Sequence, residues 1–151
     1  MRIASATFHR YSLFFHGPMQ FRGERVQRRD GLIVSIHSDD GGVGYGEIAP
    51  LPGFSKETLD EARVAAKRCI ESLKMRTNIG ARVPAGLRDR EMFPPSMRFG
   101  VECALWDLAA RTNKAKPAGL LVTQPAAKVP VNMLLMDRLE HMIAHAQGMA
   151  S

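Results

Sequence analysis

The sequence predicts an α+β fold: a three-stranded antiparallel meander followed by a helical bundle, with one βα unit at the end. Three observations carry that expectation. "GLIVSIHS", residues 31–38, alternates faces through β-branched residues and runs into a glycine-bearing turn and a return strand. "KETLDEARVAAKRCIESLK" and "PPSMRFGVECALWDLAAR" set apolar residues at helical spacing. "KVPVNMLLM" is a continuous apolar run of strand length, and "DRLEHMIAHAQG" after it is helical in pattern.

Taken in chain order, residues 2–13 read as a first strand, with Ala4, Ala6 and Phe8 on one side. In the second strand Leu32, Val34 and Ile36 share a face opposite Ile33, Ser35 and His37. "DDGG", residues 39–42, supplies a turn tolerant of positive φ, and Val43, Tyr45 and Glu47 continue as the return strand. Two prolines and a glycine then crowd into residues 49–54, "APLPGF", between something extended and something helical. Such a loop joins two elements abruptly, because Pro presets φ and Gly reaches φ > 0. A rigid loop presenting Leu51 and Phe54 also suits the lip of a ligand pocket.

Ser55 is placed to cap a helix whose stripe is Leu59, Ala62, Ala66, Cys69, Ile70 and Leu73. Residues 76–93, rich in Arg, Gly and Pro, read as a loop with a short helix. Pro94 and Pro95 stop the chain, Ser96 can cap, and the helix that follows is apolar nearly all round, as the central helix of a core should be. "KPAGLLV" predicts one more short helix, and a helix capped by Asp137 and closed by Gly148 follows the last strand. That strand and helix form one βα unit with no parallel neighbour. A barrel of such units needs about 250 residues, so residues 128–151 read as the start of an incomplete (β/α)₈, or TIM, barrel, and residues 1–127 as the domain before it.

Composition sets limits on function. A chain of 151 residues with 45% apolar and 24% charged side chains is globular rather than disordered. No stretch approaches the roughly 18 apolar residues of a membrane span, and the first ten residues are too polar for a secretory signal. The expectation is a cytoplasmic protein with no membrane partner. Cys69 and Cys103 fall on apolar helix faces without a partner at metal-ligand spacing, so they read as small hydrophobes and not as a disulfide. The net charge of +6 gathers in "FRGERVQRR", with Arg22, Arg25, Arg28 and Arg29. One aromatic residue and the interruptions by Glu24 and Asp30 weigh against nucleic acid, and a solvated face or anion site is favoured.

Three segments carry a resemblance. "RDGLIV" before the hairpin, "GEIAPLPGFSKETLDEA" at the loop and "PSMRFGVECALWDLA" at the central helix resemble the amino-terminal capping domain of the enolase superfamily, in its muconate-lactonizing-like branch, most closely the o-succinylbenzoate synthases of menaquinone biosynthesis. The likeness runs from about residue 3 to 136, and "VPVNMLL" is similar to the family's entry into its barrel. The resemblance implies that residues 1–127 cap a barrel mouth and that two loops, 17–29 and 49–54, complete the substrate pocket. It implies substrate-binding roles for Leu51, Pro52, Gly53 and Phe54, which would fit the organic part of a small carboxylate, and for Arg22, which would face its carboxylates.

The family reaction, a syn-elimination of water that yields o-succinylbenzoate, removes a proton α to a carboxylate. The resemblance assigns this step to barrel lysines and to three acidic residues holding Mg²⁺, because the dianionic intermediate must be offset by positive charge. No catalytic residue, metal ligand or cofactor is therefore expected in this chain, and Mg²⁺ only in a complete family enzyme. The expectation is a shortened chain, silent alone and prone to self-association or strand exchange through its exposed apolar surface and unpaired strand. The other readings are the cap of a cycloisomerase, N-acylamino-acid racemase or dipeptide epimerase, and a free-standing binding or assembly module.

Other signals are weaker. His141 and His145 in "HMIAH" share a helix face, but Met142 stands where a metalloprotease needs Glu, and surface histidines are favoured. The glycines of "GGVGYGE" precede a Pro-rich loop rather than a helix, so they read as turn and strand features. Glu102 and Asp107 do not share a face well, and Asp107 reads as a hydrogen-bonding partner within the domain. "FRGERVQRR" reads as a solvated loop or a pocket lid.

Overall fold

The structure is a computed structural model that describes residues 2–21, 24–75, 93–130 and 143. Strands β1 (Ile3–Phe21), β2 (Glu24–Ser38) and β3 (Val43–Ile48) form one antiparallel sheet in the order β1-β2-β3. Helices α1 (Leu59–Lys74), α2 (Pro95–Thr112) and α3 (Pro117–Leu121) follow. The expected meander and helices are therefore present. The expected loop at 76–93 falls outside the described residues except for Phe93, as does the expected βα unit beyond residue 130 apart from Ile143.

The sheet departs from the expected strand limits at one end. β1 runs on to Phe21 and β2 starts at Glu24, so most of "FRGERVQRR" is paired strand rather than loop. Leu13 faces Arg29 and Phe14 faces Arg28. After a register shift Met19 faces Val26 and Phe21 faces Glu24. Gly17 and Pro18 lie in that shift, where a missing N–H and a missing side chain interrupt no ladder. A second shift, between Ile3 and Ser5, corrects the expected face of β1: Ile3 is buried, Ala4 is exposed, and only Ala6 and Phe8 of the expected trio pack on the core. One extra residue reverses which parity points inward.

The core lies between one sheet face and the two long helices. Leu32, Val34, Ile36 and Ile48 meet Ala62, Ala66, Ile70 and Leu73 of α1 and Met97, Val101, Ala104, Leu105 and Leu108 of α2. α2 packs directly on the backbone of β3. A Cβ at Gly46 would collide with the Gly100 carbonyl oxygen, one at Gly44 with the Ala104 carbonyl oxygen, and one at Gly100 with Ile48 and the Glu47 carbonyl. Asp107 follows from this approach: its carboxylate accepts the Tyr45 N–H at 2.9 Å and pairs with Arg111 at 2.9 Å. The Arg111 guanidinium in turn lies 5.6 Å from the centre of the Tyr45 ring. One apolar face of α2 is left open, with Phe99 65% exposed and Trp106 half-buried.

Both expected N-caps are corrected. α1 is capped by Thr58, whose hydroxyl accepts the Glu61 N–H at 3.2 Å while Glu61 accepts the Thr58 N–H at 2.8 Å. This reciprocal box satisfies two donors at once, which Ser55 has no glutamate to do. α2 starts at Pro95 without a side-chain cap from Pro94, and Ser96 is not its cap. The Ser96 N–H instead donates 2.9 Å to Glu57, thirty-nine residues earlier. Burial, the largest influence on Glu57, pushes its carboxyl up, and hydrogen bonds from Ser96 and from the Glu57 and Lys56 backbone together outweigh it, so the group stays below its ordinary pKa. Cys69 is buried as expected, whereas Cys103 is half-buried, its thiol raised by burial and then by Glu102.

Gly46→Ala is expected to destabilise the fold by about 1–3 kcal/mol through overpacking. Gly17→Ala, which meets no atom within 4 Å, is expected to stay within about 0.5 kcal/mol. Urea denaturation midpoints measure both; equal midpoints would show that α2 does not rest on β3.

Candidate functional site

The sheet, the ribbon formed by the far ends of β1 and β2, and loop 49–54 meet where β3 ends. Leu51, Pro52, Gly53 and Phe54 form a tight turn: the Phe54 N–H donates to the Leu51 carbonyl at 3.0 Å, and Gly53 sits at φ +79°. Proline second and a positive-φ glycine third is the requirement of a type II turn. Ser55, displaced from helix capping, closes the loop: its hydroxyl accepts the Leu51 N–H at 2.9 Å and its own N–H donates to the Leu51 carbonyl at 2.8 Å. Pro50 is buried, Leu51 half-buried, and Pro52, Gly53 and Phe54 are exposed, Phe54 by 54%. The loop thus presents Phe54 more fully than Leu51.

Of the clustered arginines, Arg22 lies outside the described residues. Arg28 pairs with Asp30 at 3.0 Å. A hydrogen bond from Ser12 and then the Arg28 charge hold the Asp30 carboxyl below its ordinary range, against burial. Arg29 turns toward the loop, and its Nη2 donates 2.6 Å to the Ala49 carbonyl.

Beside it, Tyr11 faces Gly31 across the β1–β2 ladder. Its phenol donates to Glu47 on β3, spanning the central strand. Gly31 makes this possible, because a Cβ there would strike the Tyr11 ring. Sequence reasoning chose Arg22 and missed Tyr11, Glu47 and Arg29. The available signal was a glycine in a central strand, which often marks a close approach.

Elsewhere, a cleft of about 420 Å³ between β1 and α1 is lined by residues including Phe8, Arg10, Arg63 and Lys67. Asp60 pairs with Arg10 and Arg63 at its rim, at 4.0 and 3.4 Å. It shares no lining residue with loop 49–54. Among the described residues no three His, Cys, Asp or Glu side chains are grouped to hold a metal ion. His141 and His145 lie outside the described residues. No described helix is long and apolar enough to cross a membrane.

Burial, then the hydrogen bond to Glu47 and its charge, push the Tyr11 phenol up to about 12, opposed by the charge of Arg29 and by a hydrogen bond from it. The fold favours the neutral phenol, so this stabilisation is complete below pH 10, the ordinary value, and is lost as pH rises toward 12. In a Tyr45→Phe variant Tyr11 is the one remaining tyrosine, and ultraviolet phenolate titration is expected to centre near 12. Glu47→Gln is expected to bring it back toward 10. Titration near 10 in the folded Tyr45→Phe protein would mean the contact is not made.

Comparison with known proteins places this geometry. The sequence model for the MenC N-terminal domain matches residues 3–108. The o-succinylbenzoate synthase of Edwardsiella ictaluri is 40% identical over 110 residues, which cover 73% of this chain and 31% of that protein. That of Pectobacterium atrosepticum is 43% identical over 102 residues, 68% of this chain and 28% of that protein. The chain therefore spans less than a third of the length of these relatives.

Among solved structures, an enolase-superfamily protein from Listeria innocua matches with a TM-score of 0.80 at 23% identity, covering 99% of this chain and 42% of that one. A dipeptide epimerase from Methylococcus capsulatus matches at 0.77 and 23%, covering 99% and 43%. These likenesses establish the fold. With the match over residues 3–108 and relatives at 40% and 43% identity, the chain belongs to the MenC N-terminal domain family.

Proposed function

We propose that this chain is the capping portion of an o-succinylbenzoate synthase, acting in menaquinone biosynthesis in the cytoplasm. The observation that carries the proposal is identity of 40% and 43% to two such synthases, against a likeness to dipeptide epimerases that reaches 25% with a TM-score of 0.62 for the Bacillus subtilis L-Ala-D/L-Glu epimerase. The hydrogen-bonded loop 49–54 supports it, since a lip must hold its shape to complete a pocket.

In this proposal the cap binds and encloses rather than reacts. Phe54 and Leu51 pack on the organic part of the substrate with Pro52 and Gly53 fixing their presentation, and their apolar surface excludes water, which strengthens charge interactions inside the pocket. Arg22 pairs with a substrate carboxylate. In this proposal metal binding and proton abstraction belong to the barrel strands of a complete enzyme, and this chain is silent without them. The alternative, the cap of a dipeptide epimerase, is told apart by substrate.

Grafting residues 3–127 in place of the cap of the Pectobacterium synthase is expected to retain dehydration of the cyclohexadiene carboxylate, followed by absorbance of o-succinylbenzoate. In that graft Leu51→Ala and Phe54→Ala are expected to lower kcat/KM by about 10- to 200-fold each, with little change in the thermal midpoint of the isolated chain. A graft active only in dipeptide epimerisation would overturn the proposal, and a large loss of stability would make these residues core rather than lip. The isolated chain, with Phe14, Phe54 and Phe99 exposed among its described residues, is expected to self-associate in sedimentation; a compact monomer at high concentration is the opposing outcome.

A further inference from the structure

Arg29 is out of keeping with a merely structural side chain. It is only half-buried as a residue, yet its Nη1 is shielded from solvent and has no acceptor in hydrogen-bonding geometry. A buried donor left unsatisfied is destabilising, and more so when it carries charge. Apolar packing at this position would avoid that penalty. The guanidinium makes a short bond from Nη2 to the Ala49 carbonyl at 2.6 Å and also donates a hydrogen bond to the Tyr11 phenol. Ala49 is the first residue beyond β3, so the bond grips the chain where it leaves the sheet and enters the turn of Leu51, Pro52, Gly53 and Phe54.

A second brace stands next to it. Tyr11 crosses Gly31 and donates to Glu47, two residues before Ala49. All three strands thus hold the exit of β3: β1 through Tyr11, β2 through Arg29, and β3 through its own ladder, in which Glu47 faces Ile33 and Ile48 faces Leu32. Arg29 also sits opposite Leu13, at the start of the ribbon that leads toward residues 22 and 23. The two segments proposed to face substrate therefore share one anchor.

We propose that Arg29 is a positioning residue: with the Tyr11–Glu47 brace it locks loop 49–54 to the β1–β2 ribbon, so that lip and ribbon keep one relative placement. Its meaning for substrate rests on the capping function proposed above; the lock itself does not. Arg29 touches no reacting atom in this scheme. It acts through the Ala49 carbonyl on the side chains of Leu51 and Phe54.

The test is amide hydrogen exchange on the isolated chain, read at Leu51, Phe54 and Ser55, whose N–H groups bond within the loop and not to Arg29. Val34 and Ile36, buried on the central strand, serve as the core reference. In Arg29→Met the loop amides are expected to exchange about tenfold faster or more, as for loss of a hydrogen bond from a charged donor, with the core amides unchanged. Arg29→Lys, which keeps one charged donor, is expected to recover most of the protection. Tyr11→Phe gives a milder loosening of the same amides and serves if Arg29→Met does not fold.

Loop protection unchanged in Arg29→Met, or in Tyr11→Phe should that variant be the one measured, overturns the lock. So does acceleration of loop and core by the same factor, which would mark a general structural role, and so does Arg29→Lys as loose as Arg29→Met. In the grafted enzyme Arg29→Met is expected to raise KM more than it lowers kcat. An inactive graft with a loosened loop would reject the capping function and leave the lock standing.

Discussion

The architecture depends on a helix resting on the bare backbone of a strand. Gly44 and Gly46 on β3 and Gly100 on α2 let the two backbones approach closely, and each would meet backbone if it carried a Cβ. The remaining contacts are consequences of that approach. It brings Asp107 within reach of the Tyr45 N–H, an outward donor of an edge strand that would otherwise be open to pairing with another chain. It sets the start of α2 beside the residues that lead into α1, where Glu57 can hold the Ser96 N–H. It also closes the core over Val34, Ile36 and Ile48, leaving loop 49–54 to emerge at the rim.

Much of the fold was legible because it rests on local periodicity. The alternation of Leu32, Val34 and Ile36, and the stripe from Ala62 to Leu73, are patterns in which neighbouring residues report on one another, and the structure buries these residues. The departures have non-local causes. Nothing near Ala4 announces the extra residue that flips β1, since a bulge is defined by what lies across the ladder. The Ser96 N–H at the start of α2 is satisfied by a residue thirty-nine positions away, and no window along the chain contains both. Thr58 was different in kind: Thr-x-x-Glu stood in the sequence, whereas Ser55 has no glutamate three residues on.

The candidate site divides the same way. Its turn was legible from composition, since Pro52 and Gly53 have few other uses side by side, and the positive φ of Gly53 agrees. The glycines of "GGVGYGE" lie in a turn and a strand as expected, but turn and strand chemistry alone does not account for Gly44 and Gly46; a helix distant in sequence does. The arginine cluster was conspicuous as charge and uninformative as geometry. Arg25, Arg28 and Arg29 lie on a paired ribbon, and register separates Arg28, bound to Asp30, from Arg29, bound to Ala49.

Tyr11 over Gly31 has a consequence for how such chains can change through descent. The ring occupies the volume that any side chain at position 31 would need, so the two positions are not independent characters. A Cβ at 31 requires the ring to swing away or position 11 to become smaller, and either change takes the donor from Glu47. The two positions therefore act as one character, and a change at 31 is felt at Glu47 through position 11.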